Sequence, residues 1–376
     1  MEKEQFLSKI YFFTNLISMY LNKKEDPDLV IDDAKFSFLF KLASHHSLNS
    51  LLYKVLKDTK VQVSEENLKK LEDYYLSNLR KDVLFAKERE ALYKFLNDNQ
   101  IHFLPLKGLV LRDYYPDPYT REYADNDILF GSNDKDIKKF FVERGYKCES
   151  FRKGNHDVYV KKPFFNFEMH RDLFIQDEKR FENAYYFAKI LEKTTVKKNF
   201  EHCLSDDDFY IYFTAHTFGH FIRAGCGIRT LIDYYVYLRS VKLKNEYVNT
   251  ELKKLNIVQF SHNIRQLSLK IFDTKPLSDD EKEIVLYIAS SGTYGTIENS
   301  VDYYVREKGK FRYLMYRLFP PLYFYKRFYP WAYYTIILIP AAWLLRFIRI
   351  LFTSPRKATN EIKTIVGYKE KQKQSK

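Results

Sequence analysis

The chain has 376 residues, of which 45% are hydrophobic and 18% aromatic, a composition that excludes a disordered protein and allows about two domains with a sizeable core. Its 62 Lys and Arg against 49 Asp and Glu leave a net charge of +13, which suits nucleotides, nucleic acid or acidic lipid as partners without choosing among them. Cys148, Cys203 and Cys226 form no Cys-x-x-Cys pair, so neither a zinc site nor a disulfide framework is indicated, and a cytoplasmic location fits.

The N-terminus, Met1-Glu2-Lys3-Glu4-Gln5, does not read as a signal peptide. Over residues 4–21, Phe6, Ile10, Phe13, Leu16, Ile17 and Tyr20 recur at three and four, the period of an amphipathic helix. A second helix is expected over 32–57 with His45-His46 near its middle, and adjacent histidines about 100° apart are a poor metal geometry. Ser64-Glu65-Glu66 reads as an N-cap opening a long helix that Asn97-Asp98-Asn99 closes. Residues 1–100 therefore form a helical support.

Residues 101–200 carry the chemistry. Ile101 to Leu106 reads as a strand, Lys107-Gly108 as a turn, and 109–113 as a helix. A glycine there lets the backbone approach phosphate oxygens, while Lys107 and a helix N-terminus favour negative charge. Asp125-Asn126-Asp127 runs into Ile128-Leu129-Phe130 as a β-like segment, and alternation puts Asp125 and Asp127 on one face. Two like charges this close raise each other's pKa unless a cation such as Mg²⁺ or Mn²⁺ neutralises them. On that reasoning, replacing Asp127 by Asn relieves repulsion and leaves the metal-free protein no less stable. Arg121 pairs with one of these aspartates or meets phosphate.

A helix over 134–144 precedes strands at 146–151 and 156–161 joined by Lys153-Gly154-Asn155. In Asn166-Phe167-Glu168-Met169-His170 the apolar residues alternate with Glu168 and His170, so Glu168 supplies a third carboxylate, and His170 extends the metal shell, contacts a nucleotide or, the favoured reading, hydrogen-bonds a carboxylate behind the metal. The pattern is α+β: a small mixed sheet with helices on one face, between helical N- and C-terminal regions.

The ordered series of strand, Lys-Gly turn, helix, Arg121, Asp-x-Asp and Glu-x-His resembles the nucleotidyltransferases of the DNA polymerase β superfamily. It is most similar to the bacterial group called uncharacterised nucleotidyltransferases. The resemblance covers roughly residues 64–238. It implies that Asp125, Asp127 and Glu168 are catalytic and bind the metals that activate a nucleoside triphosphate. Where that superfamily often has Gly-Ser or Gly-Gly at the turn, this chain has Lys107-Gly108.

Residues 201–305 read as a helical domain opened by Ser205-Asp206-Asp207-Asp208. His216 and His220 share a helix face, and Arg229-Thr230-Leu231-Ile232-Asp233 follows. By the resemblance His216, His220 and Arg229 are base, ribose or phosphate contacts; otherwise the histidines pack the helix and Arg229 pairs with Asp233. Ser278-Asp279-Asp280-Glu281 is another capped start, and residues 290–296 a plain connection without a phosphate-loop lysine.

Residues 306–376 differ in material. Arg312, Arg317, Lys326 and Arg327 interleave with tyrosines and phenylalanines, and 331–345 is almost wholly apolar but shorter than the ~20 residues a spanning helix needs. Helices packed on the core or on the anionic inner face of a membrane are expected, followed by a basic tail with Lys369, Lys371, Lys373 and Lys376. The reading is a magnesium-dependent transferase whose substrates are a nucleoside triphosphate and an unidentified acceptor: small molecule, protein or tRNA. The alternatives are a toxin-like enzyme acting on tRNA and a non-catalytic membrane-surface or nucleic-acid-binding protein with a nucleotidyltransferase shell.

Overall fold

The computed structural model describes residues 2–175, 181–353 and 355–367, so the tail lysines 369, 371, 373 and 376 lie outside the described residues. The chain divides into two compact units, one of Met1–Phe218 with Gly227–Thr293 and one of Gly219–Cys226 with Tyr294–Lys376.

In the first unit, α1 (Glu2–Leu21) buries Ile10, Phe13, Leu16 and Ile17 along the predicted stripe. The expected single helix over 32–57 is two, α2 (Asp33–His46) and α3 (Asn49–Asp58). Ser47 takes φ +53 between them, and its N–H and that of Leu48 close onto the carbonyl of Ala43, a left-handed helix end that a serine does not advertise. His46 is accordingly a core residue at a helix end. Its ring nitrogens meet the Ala289 carbonyl at 3.1 Å and the Ile228 N–H at 3.2 Å, and burial lowers its pKa to about 3. Short strands β1 (Val30–Ile31) and β2 (Gln62–Val63) pair in parallel beside these helices.

Ser64 caps the long helix α4 (Glu65–Asp98) through the Asn67 N–H. It delivers the chain to a seven-stranded mixed sheet built from β3 (Phe103–Pro105), β4 (Asn126–Phe130), β5 (Lys147–Ser150), β6 (His156–Lys161), β7 (Phe165–His170), β8 (Thr195–Lys198) and β9 (Glu201–Cys203). The order is β5-β6-β7-β4-β3-β9-β8, with β4 parallel to β7 at the centre. The β8–β9 hairpin is absent from the sequence reading; Thr195, Val196, Lys197 and Lys198 are all exposed, so no half-buried alternation marks it. Between β3 and β4 the predicted helix shrinks to a single turn, α5 (Gly108–Leu111), and a 3₁₀ turn over Arg112–Tyr114.

One face of the sheet holds the core. Phe103, Ile128, Phe130, Tyr159, Phe167 and Met169 pack there against Phe85, Leu92 and Leu96 of α4 and Ile137 and Phe141 of α6 (Asp134–Glu143). Side-chain alternation therefore sends Asp127, Leu129, Glu168 and His170 to the opposite face. After α7 (Phe181–Phe187), α8 (Asp206–Arg223) starts at Ser205, whose Oγ accepts the Asp208 N–H. Helices α9 (Ile228–Ser240), α10 (Asn245–Lys254), α11 (Val258–Phe272) and α12 (Asp279–Ser291) follow, the last with a full capping box between Ser278 and Glu281.

The second unit holds α13 (Ile297–Lys308), α14 (Lys310–Leu318), α15 (Leu322–Phe328), α16 (Pro330–Tyr334), a 3₁₀ turn over Ile336–Leu338, α17 (Ile339–Thr353) and α18 (Pro355–Gly367). It has two small cores, Val301, Val305, Tyr313 and Ile365 in one and Tyr325, Ala332 and Ala342 in the other. Among the described residues no helix is long and apolar enough to cross a membrane.

Candidate functional site

The site lies on the sheet face opposite α4 and α6, where three elements bring acids and bases together. Strands β4 and β7 run parallel in a register that pairs Asp127 with Glu168 and Leu129 with His170. The antiparallel partner of β7 places His156 beside His170. Asp125 stands immediately before β4 rather than inside it, and is half-buried.

Asp127 is the centre. Its side chain is only 6% exposed, and its Oδ1 takes a hydrogen bond from Lys107 Nζ at 2.8 Å and another from His170 Nε2 at 2.8 Å. Burial alone raises a carboxyl pKa, but Lys107 and His170 outweigh it and hold Asp127 well below the usual carboxylate range. Lys107 is shifted the other way: burial opposes its charge, Asp127 wins, and its pKa rises above the ordinary lysine value. His170 is pushed down by burial against the pull of Asp127, and Asn155 Nδ2 approaches its Nδ1 at 3.5 Å.

The other two carboxylates carry the surplus charge. Burial and then Asp127 raise Asp125, while Lys107, Arg229 and Arg121 partly offset the rise. Burial, Asp127 and Asp125 together push Glu168 up to about 8. At neutral pH the metal-free site therefore keeps a proton on Glu168. Glu168 Oε2 lies 3.6 Å from His156 Nε2 and 3.8 Å from His170 Nε2, and one ligand atom from each of these three residues falls within 4.8 Å of the others. His156 was missed as a site residue, although counting back across the hairpin from Phe165 against Lys161 brings it opposite His170.

Lys107 reaches Asp127 from a strained backbone, φ +45 and ψ −114, unusual for a residue with a side chain. The Lys107–Asp127 pair and the hydrogen bond from Leu106 N–H to the Asp127 carbonyl, 3.0 Å, fix this turn onto β4. Gly108 is needed for a different reason than phosphate approach: a Cβ there meets Arg121 Nη1 at 2.5 Å. α5 is one turn long, so the expected helix terminus contributes little field here.

Arg121 contacts neither aspartate of the Asp-x-Asp. Its Nε and Nη2 donate to Asp233 Oδ1 and Oδ2 at 2.7 and 2.9 Å, and the Tyr115 hydroxyl donates to the same carboxylate at 2.7 Å, all three residues being buried. Asp233, the alternative partner for Arg229, is thus taken by Arg121. Arg229 instead donates to the Glu122 carbonyl at 2.7 Å, and its charge is felt at Asp125. His216 stands one turn after Tyr212, with ring centroids 6.1 Å apart. Tyr212 of α8 is buried and within the field of Lys107, Asp127 and Glu168, and no sequence signal points to it. His220 belongs to the second unit.

Separate from the carboxylates, a cavity of about 660 Å³ lies beside β3 and β9. It is lined by Arg89, Tyr93, Arg112, Tyr119 and His202 among others. Its cations are engaged: Arg112 grips Asp82 with two bonds of 2.6 and 2.7 Å, and Arg89 donates to Tyr123 and Asn126.

A mixed sheet that presents carboxylates side by side on adjacent parallel strands, next to a lysine turn, defines an α+β domain of the nucleotidyltransferase kind. The chain belongs to the family described as uncharacterised nucleotidyltransferase, whose sequence profile matches residues 32–273, well over half of its length. The match takes in the whole seven-stranded sheet and every residue of the site. No curated protein and no solved structure matches the chain.

The proton on Glu168 gives a pH dependence with a definite sign. A carboxyl whose folded pKa is raised contributes stability that is complete below its unfolded pKa, roughly 4.3, and is lost as pH rises through about 8. The metal-free protein is therefore expected to lose stability between these values. A divalent cation bound by Glu168 must displace the proton, so titration calorimetry with Mn²⁺ at pH 6.5, in buffers of different ionisation heat, should report proton release that vanishes by pH 9.5. Binding without proton release at pH 6.5 counts against Glu168 as a ligand.

Proposed function

We propose that the chain transfers a nucleoside monophosphate from a nucleoside triphosphate to an acceptor hydroxyl. The acceptor oxygen forms a bond to the α-phosphorus, the bond to the β-phosphate oxygen breaks, pyrophosphate leaves, and the hydroxyl proton passes to solvent. One observation carries the reading: Asp127 and Glu168 stand in register on adjacent parallel strands, with Asp125 two residues upstream, in a site with more negative charge than Lys107 neutralises.

That surplus suits a bound metal ion. Two of three crowded carboxylates are driven towards their protonated forms, the condition a hard divalent cation relieves. Asp125, Asp127 and Glu168 would hold Mg²⁺ or Mn²⁺, and His156 beside Glu168 widens the choice towards Mn²⁺. When bound, such ions lower the acceptor hydroxyl's pKa and neutralise phosphate charge. Lys107 keeps Asp127 ionised, and His170 fixes the orientation of its carboxylate. Arg229, whose field reaches Asp125, is the cation best placed for the phosphates of the incoming nucleotide. Arg121 supports the Lys107–Gly108 turn.

Each of the four α-³²P nucleoside triphosphates is incubated with the protein, Mn²⁺ or Mg²⁺, and cell extract. Label is expected on a discrete small molecule, protein or RNA, with unlabelled pyrophosphate released. Failure of all four to label anything beyond a no-protein control rejects the transfer.

A further inference from the structure

The family match ends at residue 273, and residues 294–376, the larger part of the second unit, lie beyond it and carry a different physical signature. Residues 294–376 contain 16 Lys and Arg but only 5 Asp and Glu, against totals of 62 and 49 for the chain. Nearly all of the net +13 therefore resides in this last segment, and the catalytic unit is close to neutral. The same segment exposes large apolar side chains that a soluble surface rarely groups. Trp331 is 44% exposed, Tyr334 77%, Ile336 66%, Ile337 88%, Leu345 52% and Phe352 84%.

Their arrangement is ordered. Ile336 and Ile337 sit on the 3₁₀ turn that leads into α17, with Trp331 and Tyr334 on α16 just before it. Along α17, Leu344, Leu345, Ile348 and Phe352 fall within an arc of about 100° at 3.6 residues per turn. Exposed Arg349 lies at the edge of that arc, and Arg346 points away from it, stacking over the Phe324 ring at 5.5 Å. At 15 residues α17 is roughly 22 Å long, short of the ~30 Å of a bilayer core. A helix of this kind lies in an interface rather than across it.

We infer that the second unit docks the protein on an anionic lipid bilayer. The 3₁₀ turn at Ile336–Leu338 and the apolar arc of α17 enter the headgroup boundary, Trp331 and Tyr334 sit at headgroup level, and the net positive charge of the segment draws it to acidic lipid. Charge decides this occupant over a second copy of the chain. Two such segments repel each other, whereas a bilayer of acidic lipid satisfies the apolar arc and the positive field together. The inference is independent of the transfer reaction, so either can fail alone.

The test uses the full chain with vesicles of phosphatidylcholine containing 30% phosphatidylglycerol, or of phosphatidylcholine only, in low salt and in 0.5 M salt. Cosedimentation with the anionic vesicles at low salt is expected, at least ten-fold stronger than with the neutral ones and weakened by salt. The double substitution Ile336→Ser and Ile337→Ser should cut partitioning ten-fold or more with an unchanged melting curve, since both side chains are exposed. Blue-shifted Trp fluorescence on vesicle addition, lost in Trp331→Phe, reports insertion directly. No pelleting at low salt overturns the inference, as does equal binding to both vesicle types. So does a dimer in light scattering that the serine pair dissociates while vesicles bind neither form.

Discussion

Asp127→Asn and Glu168→Gln are expected to abolish label transfer alike while acting on the stability of the metal-free protein in unlike ways. Transfer should fall by about 10³-fold or more in each, the loss of several kcal/mol of charge stabilisation at the reacting phosphate. Asp127→Asn removes the partner of Lys107, leaving an ammonium in a largely buried position with nothing of opposite charge at 2.8 Å. Breaking such a pair from one side costs roughly 3–5 kcal/mol. Glu168→Gln replaces a group that already carries a proton at neutral pH, so melting at pH 7 should hardly change. At pH 9, above its pKa of about 8, the wild type has an ionised Glu168 facing Asp127 and Asp125, and the Gln variant should be the more stable. Melting curves of the three proteins in EDTA at pH 7 and 9, beside the transfer assay, read all of this. An Asp127→Asn protein as stable as wild type at pH 7, or a Glu168→Gln protein that transfers at the wild-type rate, sinks the assignment.

That prediction reverses the sign the sequence suggests for Asp127. Two carboxylates at i and i+2 on a strand imply repulsion, and repulsion implies that removing either one relieves it. The repulsion is present, but it falls on Asp125 and Glu168, because Lys107 and His170 both close on Asp127. Which member of a crowded set is neutralised depends on where a turn 20 residues upstream points its lysine, and periodicity carries no such information.

Local chemistry was otherwise legible. The alternation in Asn166–His170 placed Glu168 and His170 on one face and Phe167 and Met169 on the other, and the core cluster takes the latter pair as expected. Caps at Ser64, Ser205 and Ser278 open helices where their side-chain oxygens meet an N–H three residues on. What failed was of two kinds. Ser47 ends a helix with a left-handed residue that is not glycine, and β8 is exposed along its whole length, so neither presents the residue types that signal it. The Arg121–Asp233 pair spans 112 residues, and the sequence offered a nearer partner for each.

Arg121→Met is expected to damage the fold first and the chemistry only through it. The guanidinium is held at both ends: Asp233 takes two of its N–H groups, and Nη1 lies where a Cβ on Gly108 would stand, 2.5 Å away. Methionine fills much of the same volume but leaves the Asp233 carboxylate buried with only the Tyr115 hydroxyl, at a cost of roughly 3–5 kcal/mol. Lysine at this position keeps the charge but not the fork, so Arg121→Lys should fall between. Adding Asp233→Leu to Arg121→Met removes the orphaned charge and should recover most of the loss, a coupling that urea unfolding of the single and double variants measures. Gly108→Ala should mimic Arg121→Met, because a methyl group there collides with a guanidinium that cannot swing aside. Nucleotide affinity, measured below the melting transition, should drop far less than stability does. The opposite split, full stability with affinity for triphosphate gone, would make Arg121 a phosphate ligand and dismiss its role as the prop beneath the lysine turn.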